Sequence, residues 1–502
     1  MKHKGFVLTA AAITLAAMIG GCASGGNGRN LSFEGEVDVL VIGAGAAGLT
    51  AAVEASDSGA KKVMILEKMG RMGGTSFTAQ GMVAGYDTRI TRAAGDTFTQ
   101  EDLYKLVNDN AGYKIDADTI GITVRDSGRA IEWLIDTVKV PFLDQAMVGY
   151  GPYKMMHLIG VMEDDKPKVS AGYMSEPFTR ALTDRGIELR LNTRAVALIE
   201  NDSKAVIGVE AVSGGKTVRY KARSVIIATG GYAANNELAA AMDPLYKYIQ
   251  NVALQSASGD GLIMAVNAGA AISNPRALMT QCMDYDMVVS AGGNSTDSND
   301  SPFIRNPAVI YVNPEGNRFM NEKDLGFMFQ RLGEKLLPEM NKYESPYLWA
   351  LIDQQAYTEG RVGTTGIGRT TKGLSYIQAD TVERLAALME VPQANLAETI
   401  KNYNAMAQNG RDTDFNRDPP TMRPLTGKLY ALKIVSTMSI TYGGLIHNSK
   451  GEVMRLDGSA IPGLYCAGEV AANSAWMGFT LSSCFTWGRI AGQSAAEYIA
   501  KK

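Results

Sequence analysis

The spacing Gly43-Ala44-Gly45-Ala46-Ala47-Gly48 is the first place in this chain where residue types point to chemistry. An apolar run from Val37 to Ile42 leads into Gly-x-Gly-x-x-Gly, and a helical pattern from Leu49 to Ser58 follows. That order suits a pyrophosphate. Gly43 permits the tight turn, Gly45 lets the backbone approach the phosphates, and Gly48 lets the helix pack on the strand. The helix N-terminus at Ala46 and Ala47 offers its unpaired N–H groups to the anion. A second apolar run, Lys62 to Leu66, ends in Glu67, nineteen residues beyond Gly48, followed by Lys68. An acid at that distance suits ribose hydroxyls. The triplet alone does not say which dinucleotide is held.

The elements that must position these residues can be read further along. A second glycine turn, Gly73-Gly74-Thr75-Ser76, follows the acid, with Gly81 beyond it. Ile187 to Leu191, Val196 to Ile199, Ile207 to Val212 and Val218 to Lys221 read as short strands split by Asn201-Asp202 and Gly214-Gly215, a β-meander. Ser224 to Ile227 reads as a separate buried strand entering the turn Ala228-Thr229-Gly230-Gly231. Gly259-Asp260-Gly261 and Gly443-Gly444 are further glycine turns. Near the end a strand from Ile461 runs into Gly468-Glu469, and a helix is expected from about Leu481 to Ala500.

In this order, the motifs resemble the flavoprotein family of fumarate reductases and succinate dehydrogenases, in the soluble branch with urocanate reductases and ketosteroid dehydrogenases. The resemblance runs from about Val37 to the C-terminus. It implies an α/β fold: a Rossmann-like FAD-binding domain with a β-meander insertion, plus an α+β capping domain. It also implies that Glu67 holds the adenosine ribose and that Asp260 and Glu469 lie near the cofactor. The backbone at Leu481 and Ser482 would meet the flavin pyrimidine, with the positive end of that helix facing the reduced ring. Lys68, Thr75, Ser76, Gly81, Ala195, Val196, Ala228, Thr229, Gly230, Gly259 and Gly444 complete the expected cofactor set. Membrane-complex members attach FAD through a histidine before the second glycine turn. The stretch from Gly73 to Gly81 contains none, so FAD is expected to be noncovalent.

Residues 36–273 and 441–502 are read as the two parts of the FAD-binding domain, and 274–440 as the cap. The cap carries the run Arg318-Phe319-Met320-Asn321-Glu322, similar to the family's Arg-Phe-x-Asn-Glu. Substrate chemistry is expected where cap and flavin meet, and here the chain departs from fumarate reductase. The proton-donating arginine is replaced by Gly326, and an expected histidine by Cys282. The substrate-clamping arginine falls at or near Ala475, and Ser439-Ile440-Thr441-Tyr442 lacks a histidine. A dicarboxylate needs fixed charge and bidentate donors at both ends. Without those partners its desolvation costs several kcal/mol per carboxylate, which argues against fumarate. Trp476, Met477, Phe479, Phe327, Phe329, Tyr285 and Tyr442 point instead to an apolar, aromatic pocket. The reaction implied is hydride exchange between flavin N5 and an activated C=C bond. Tyr285 and Tyr442 are the candidate proton donors, Arg305 the relay or stabiliser, and the Gly478 N–H a donor to the substrate carbonyl.

Composition bounds the remaining choices. The chain has 502 residues, 46% hydrophobic, with 49 Lys+Arg against 52 Asp+Glu and a net charge of −3, which gives no reason to expect a nucleic-acid partner. Its only histidines are His3, His157 and His447, which leaves no zinc or haem-attachment motif. Lys2 and Lys4 precede an apolar stretch from Gly5 to Met18, and Ile19-Gly20-Gly21-Cys22 resembles the lipobox of bacterial lipoproteins. Residues 1–21 are therefore expected to be a signal peptide, Cys22 the lipidated residue, and 22–35 a flexible tether. The expected protein is exported, anchored to the cell envelope and fed by an external donor such as a membrane-linked cytochrome or flavoprotein. It would reduce a small organic acceptor. The alternatives are a ketosteroid-type dehydrogenase running oxidatively, or a flavin module for electron transfer or sensing without turnover.

Overall fold

The computed structural model describes residues 32–501 apart from 96, 112, 114, 149–151, 274–277, 291–302, 304–307, 324–329, 362–374 and 473–478. Contacts divide the chain into two units: residues up to Tyr232 with Leu254–Leu278 and Thr441–Lys502, and Ala233–Ala253 with Met279–Ile440.

The first unit is built on a sheet entered by β1 (Gly35–Ile42), followed by α1 (Ala46–Asp57) and β2 (Val63–Leu66). Next come β3 (Glu188–Arg190), β4 (Thr193–Glu200), β5 (Val206–Ser213), β6 (Lys216–Ile227) and the helix α2 (Asp260–Asn267). The last elements are β7 (Glu452–Met454), β8 (Ala460–Cys466) and α3 (Phe479–Ala500). The order across the sheet is β7-β8-β6-β1-β2-β3. The five strands from β8 to β3 are parallel, as in Leu40↔Val225, Leu40↔Met64, Ile65↔Leu189 and Ile226↔Tyr465.

A parallel sheet covered on both faces demands continuous apolar runs, and Leu40 to Ile42 and Val63 to Leu66 are buried without alternation. Sequence reading separates Val218–Lys221 from the strand at Ser224–Ile227, whereas the structure runs them together as β6. Its first half pairs antiparallel with β5 (Tyr220↔Val209) and alternates buried with exposed residues. Its last four residues are buried on both sides between β1 and β8. One strand changes neighbours halfway, so its pattern changes period.

α1 is buried from Ala46 to Ala55. It packs on α3 through Gly488 and Gly492, where a Cβ would lie 2.7 Å from the Ala47 carbonyl oxygen and 2.5 Å from that of Ala51. Small residues one turn apart let the two backbones approach, and Arg489 seals the pair by donating to Glu54 at 2.8 Å.

In the second unit the strand Leu348–Asp353 lies between Ile310–Val312 and Leu429–Thr441, antiparallel to both. Its side chains alternate. Leu348, Ala350 and Ile352 join one apolar cluster, and Trp349 and Leu351 join another formed with the helices Val382–Met389 and Gln393–Asn409. Beneath the run Arg318 to Glu322 lies a buried charge cluster. Arg318 donates to Glu322 (2.6 and 2.7 Å) and to Asp412 (3.1 and 2.7 Å), and Arg417 donates to Glu322 at 3.0 Å. The family-like run in this chain is therefore a structural ion cluster.

Among the described residues no helix is long and apolar enough to cross a membrane. The signal segment and Cys22 lie outside them.

Candidate functional site

The carboxyl ends of the parallel strands open onto a cleft in the first unit, where α/β sheets receive their ligands. Its floor is the turn between β1 and α1. Gly43 takes a left-handed φ of 103°, and its N–H bonds the Leu66 carbonyl at 2.8 Å, so the turn is pinned across to β2. Gly45 caps α1 without a side chain, and the Ala46 N–H donates to Ser76 Oγ at 3.2 Å. The start of a twelve-residue helix therefore faces the opening.

Glu67 directly follows β2 and is buried. Its two carboxylate oxygens accept the N–H groups of Ala44 and Met69, both at 2.8 Å. Each oxygen keeps a lone pair for a further donor. Asp260, at the first turn of α2, is gripped by two cations. Arg194 Nε and Nη2 donate to it at 3.0 and 2.9 Å, and Lys68 Nζ at 3.1 Å, while the Ser258 hydroxyl donates at 3.0 Å. Burial by itself would raise the Asp260 carboxyl, but Arg194 and Lys68 outweigh it and hold it below the usual carboxylate range.

Glu469 accepts the Thr441 N–H at 2.8 Å and its hydroxyl at 3.1 Å. Burial dominates there and pushes this carboxyl up to about 7. Cys484 of α3 also lines the cleft, its thiol pushed up to about 12 by burial and by the Glu469 charge.

The expected cofactor residues that line the cleft are Gly43, Gly45, Ala46, Ala47, Glu67, Lys68, Gly74, Thr75, Ser76, Ala195, Ala228, Thr229, Gly230, Asp260, Gly468 and Glu469. Eight others are outside the lining. Gly48 and Gly73 support the turn from behind, Gly259 caps α2, and Gly444 packs against Val470. Gly81 sits against Ser170 and Ala171, Val196 is exposed, and Leu481 is buried. The Ser482 hydroxyl donates to the Ala84 carbonyl.

Sequence reading did not single out Arg194, Thr193, Ser256, Ala257, Met264 or Cys484, all of which line the cleft. Arg194 directly precedes Ala195, and Cys484 lies one helical turn beyond Leu481. Both positions are readable only once the strand and helix phases are known.

Of the expected catalytic residues, Arg305 and Gly478 lie outside the described residues, as do Gly326, Phe327, Phe329, Ala475, Trp476, Met477 and the side chain of Cys282. Tyr285 begins a helix of the second unit and packs its half-buried ring on Tyr347 with centroids 5.1 Å apart. Tyr442 belongs to the first unit and is buried. Phe479 is fully buried where α3 starts.

Three features of the cleft fit a dinucleotide. The Thr229 hydroxyl is buried with no hydrogen-bond partner among the described residues. Among the described residues beyond the chain neighbours, a Cβ on Gly230 would meet no atom within 4 Å, and one on Gly45 would meet Ser76 Oγ alone, at 3.9 Å. Backbone donors and two cations therefore surround space that the chain leaves unfilled.

The family described as "FAD binding domain" matches residues 38–485. The chain is 31% identical over 477 residues to "Fumarate reductase (cytochrome)" of Shewanella frigidimarina, covering 93% of this chain and 78% of that protein. It is 26% identical to "Vinyl phenol reductase" of Lactiplantibacillus plantarum, covering 92% and 96%. Among solved structures, 3-ketosteroid-Δ4-(5α)-dehydrogenase from Rhodococcus jostii RHA1 superposes with a TM-score of 0.71 at 25% identity, covering 93% and 98%. The chain belongs to the FAD binding domain family and is an FAD-dependent oxidoreductase of the fumarate reductase group, whose members act on C=C bonds.

Proposed function

We propose that this enzyme reduces an activated C=C bond in an apolar or aromatic substrate of the enone or acrylate type, drawing electrons from an external carrier outside the cytoplasm. The observation that carries the reading is what stands, by the resemblance, where a dicarboxylate reductase keeps charge: Gly326, Cys282, a residue at or near Ala475 and the histidine-free stretch before Gly443. A vinyl phenol reductase similar over nearly its whole length supports an aromatic alkene. For the donor, a relative named for a cytochrome supports an external electron carrier, and the lipobox-like Cys22 supports anchoring at the envelope.

FAD, when bound, supplies two-electron hydride chemistry at the double bond. The glycine turn and the α1 N-terminus would hold its pyrophosphate, Glu67 would take the ribose hydroxyls, and the Thr229 hydroxyl would gain the partner it lacks among the described residues. Lys68 and Arg194 add positive charge, and no histidine between Gly73 and Gly81 is present for covalent attachment. At the substrate, a tyrosine phenol, Tyr285 or Tyr442, delivers the proton to the carbon next to the carbonyl. Arg305 stabilises the charge, and the Gly478 N–H polarises the carbonyl oxygen.

The test is anaerobic. Protein reduced with an artificial donor is mixed with styrene-type, cinnamate-type and enone substrates, and with fumarate. Reoxidation with matching consumption of an aromatic alkene or enone is expected; consumption of fumarate at a comparable rate would overturn the reading. A second reading, dehydrogenation, is favoured by the likeness to the ketosteroid dehydrogenase, and it predicts bleaching of the oxidised protein by the saturated compound.

A further inference from the structure

The chain leaves the first unit after Tyr232 and re-enters it for the last time at Thr441. Both passages meet at Glu469. Its carboxylate accepts the N–H and the hydroxyl of Thr441 (2.8 and 3.1 Å). Gly231, one residue before the departure, presses against the same pair: a Cβ there would lie 2.0 Å from Thr441 Oγ1 and 2.4 Å from Glu469 Oε1. Only a residue without a side chain fits. The Gly231 carbonyl in turn accepts the N–H of Gly259, the cap of α2, next to Asp260. Glu469 and Asp260 both line the cofactor cleft, so the backbone at each passage is tied to that lining by hydrogen bonds or close packing.

We propose that Glu469 is a positioning residue that couples filling of the cleft to the order of the backbone at Gly231–Ala233 and Ile440–Tyr442. The inference rests on the seat proposed above for the cofactor. A cleft that holds its ligand fixes Glu469. Glu469 fixes the Thr441 N–H, and Thr441 fixes the main chain that carries Tyr442, a candidate proton donor. The titratable group facing Glu469 from α3 is Cys484, which stays a neutral thiol at ordinary pH, so the acceptor role of the carboxylate has no competing charge on that side.

Amide hydrogen exchange on the full chain, with and without FAD, separates the outcomes. In the wild type, FAD is expected to slow exchange at 43–48 and, by about tenfold, at 229–233 and 439–443, the scale of one hydrogen bond to a carboxylate. Glu469→Gln keeps an acceptor oxygen for the Thr441 N–H and should retain the effect. Glu469→Ala, compared at an FAD concentration high enough to protect 43–48, should lose it at 229–233 and 439–443. Unchanged coupling in Glu469→Ala, or a wild type protected only at 43–48, overturns the inference. A wild type that retains FAD without protection at 43–48 overturns the proposed seat instead. If Glu469→Ala does not fold, Thr441→Val carries the test: it removes only the hydroxyl bond and should weaken the coupled protection, and full protection there sinks the idea.

Discussion

A Cβ on Gly48 would lie 1.9 Å from the carbonyl oxygen of Gly43. The first helix and the strand that feeds it are that close, and the third glycine of the triplet is there for packing. Gly45, two residues past Gly43, is different: its backbone is extended (φ −76°), and among the described residues beyond its chain neighbours the nearest atom to the place a Cβ would take is Ser76 Oγ at 3.9 Å. One motif thus contains a glycine the fold needs and a glycine only the ligand needs.

Gly45→Val should therefore fold, with stability changed by about 1 kcal/mol or less, and yet fail to retain FAD. Gly48→Ala should lose roughly 2–3 kcal/mol through overpacking. Urea unfolding and the visible flavin spectrum of the purified variants separate the two. A yellow Gly45→Val protein would contradict the cradle.

Glu67 offers a second test. Replacing it by Ala leaves the N–H groups of Ala44 and Met69 without their acceptors, at a cost of about 3 kcal/mol on folding for two bonds to a charged group. Glu67→Gln keeps one acceptor oxygen and should lose about half as much. Equal losses in both variants would mean that the charge, rather than the bonds, matters.

Glu469 makes stability depend on pH. Its carboxyl is raised from 4.5 to about 7 by burial, so the folded chain holds a proton that the unfolded chain has released. The stabilising contribution is complete below about pH 4.5 and is lost as pH rises through about 7. At 1.36 kcal/mol per unit this amounts to roughly 3 kcal/mol. Glu469→Gln should remove that decline in cofactor-free protein between pH 5 and 8, and identical pH profiles for the two proteins would exclude Glu469 as its source.

His157 has the opposite sign. Burial drops its ring to about 4 even though Nδ1 lies 3.2 and 3.1 Å from the Val83 and Met155 carbonyls, and Nε2 lies 2.5 Å from the Thr88 hydroxyl. The ring is neutral when folded, so its contribution is whole above about pH 6.5 and is lost as pH falls towards 4. Nitrogen-15 NMR of labelled histidine should find a neutral imidazole at pH 5. A charged ring there would refute the assignment.

In the second unit, Arg417→Met strips Glu322 of one of its two cations inside a buried cluster. A loss of about 3–5 kcal/mol is expected, read by thermal or urea unfolding. A change under about 1 kcal/mol would show that the cluster is hydrated.

The dinucleotide unit was legible in the sequence because its signals are local: an apolar strand, glycines at fixed offsets and an acid at the end of the next strand lie within about thirty residues. The motif order carried the cofactor and family for the same reason. The expectation that the charges for a dicarboxylate are missing rests on the sequence and its resemblance alone, because Gly326 and Ala475 lie outside the described residues. Long-range geometry was not legible. That Arg194 and Lys68 share Asp260, that Glu469 reaches Thr441, and that β6 runs unbroken while exchanging neighbours depend on segments far apart in the chain. Those relations are fixed by which strand lies beside which, and by which buried carboxylates find donors there. No spacing along a single stretch of chain encodes them.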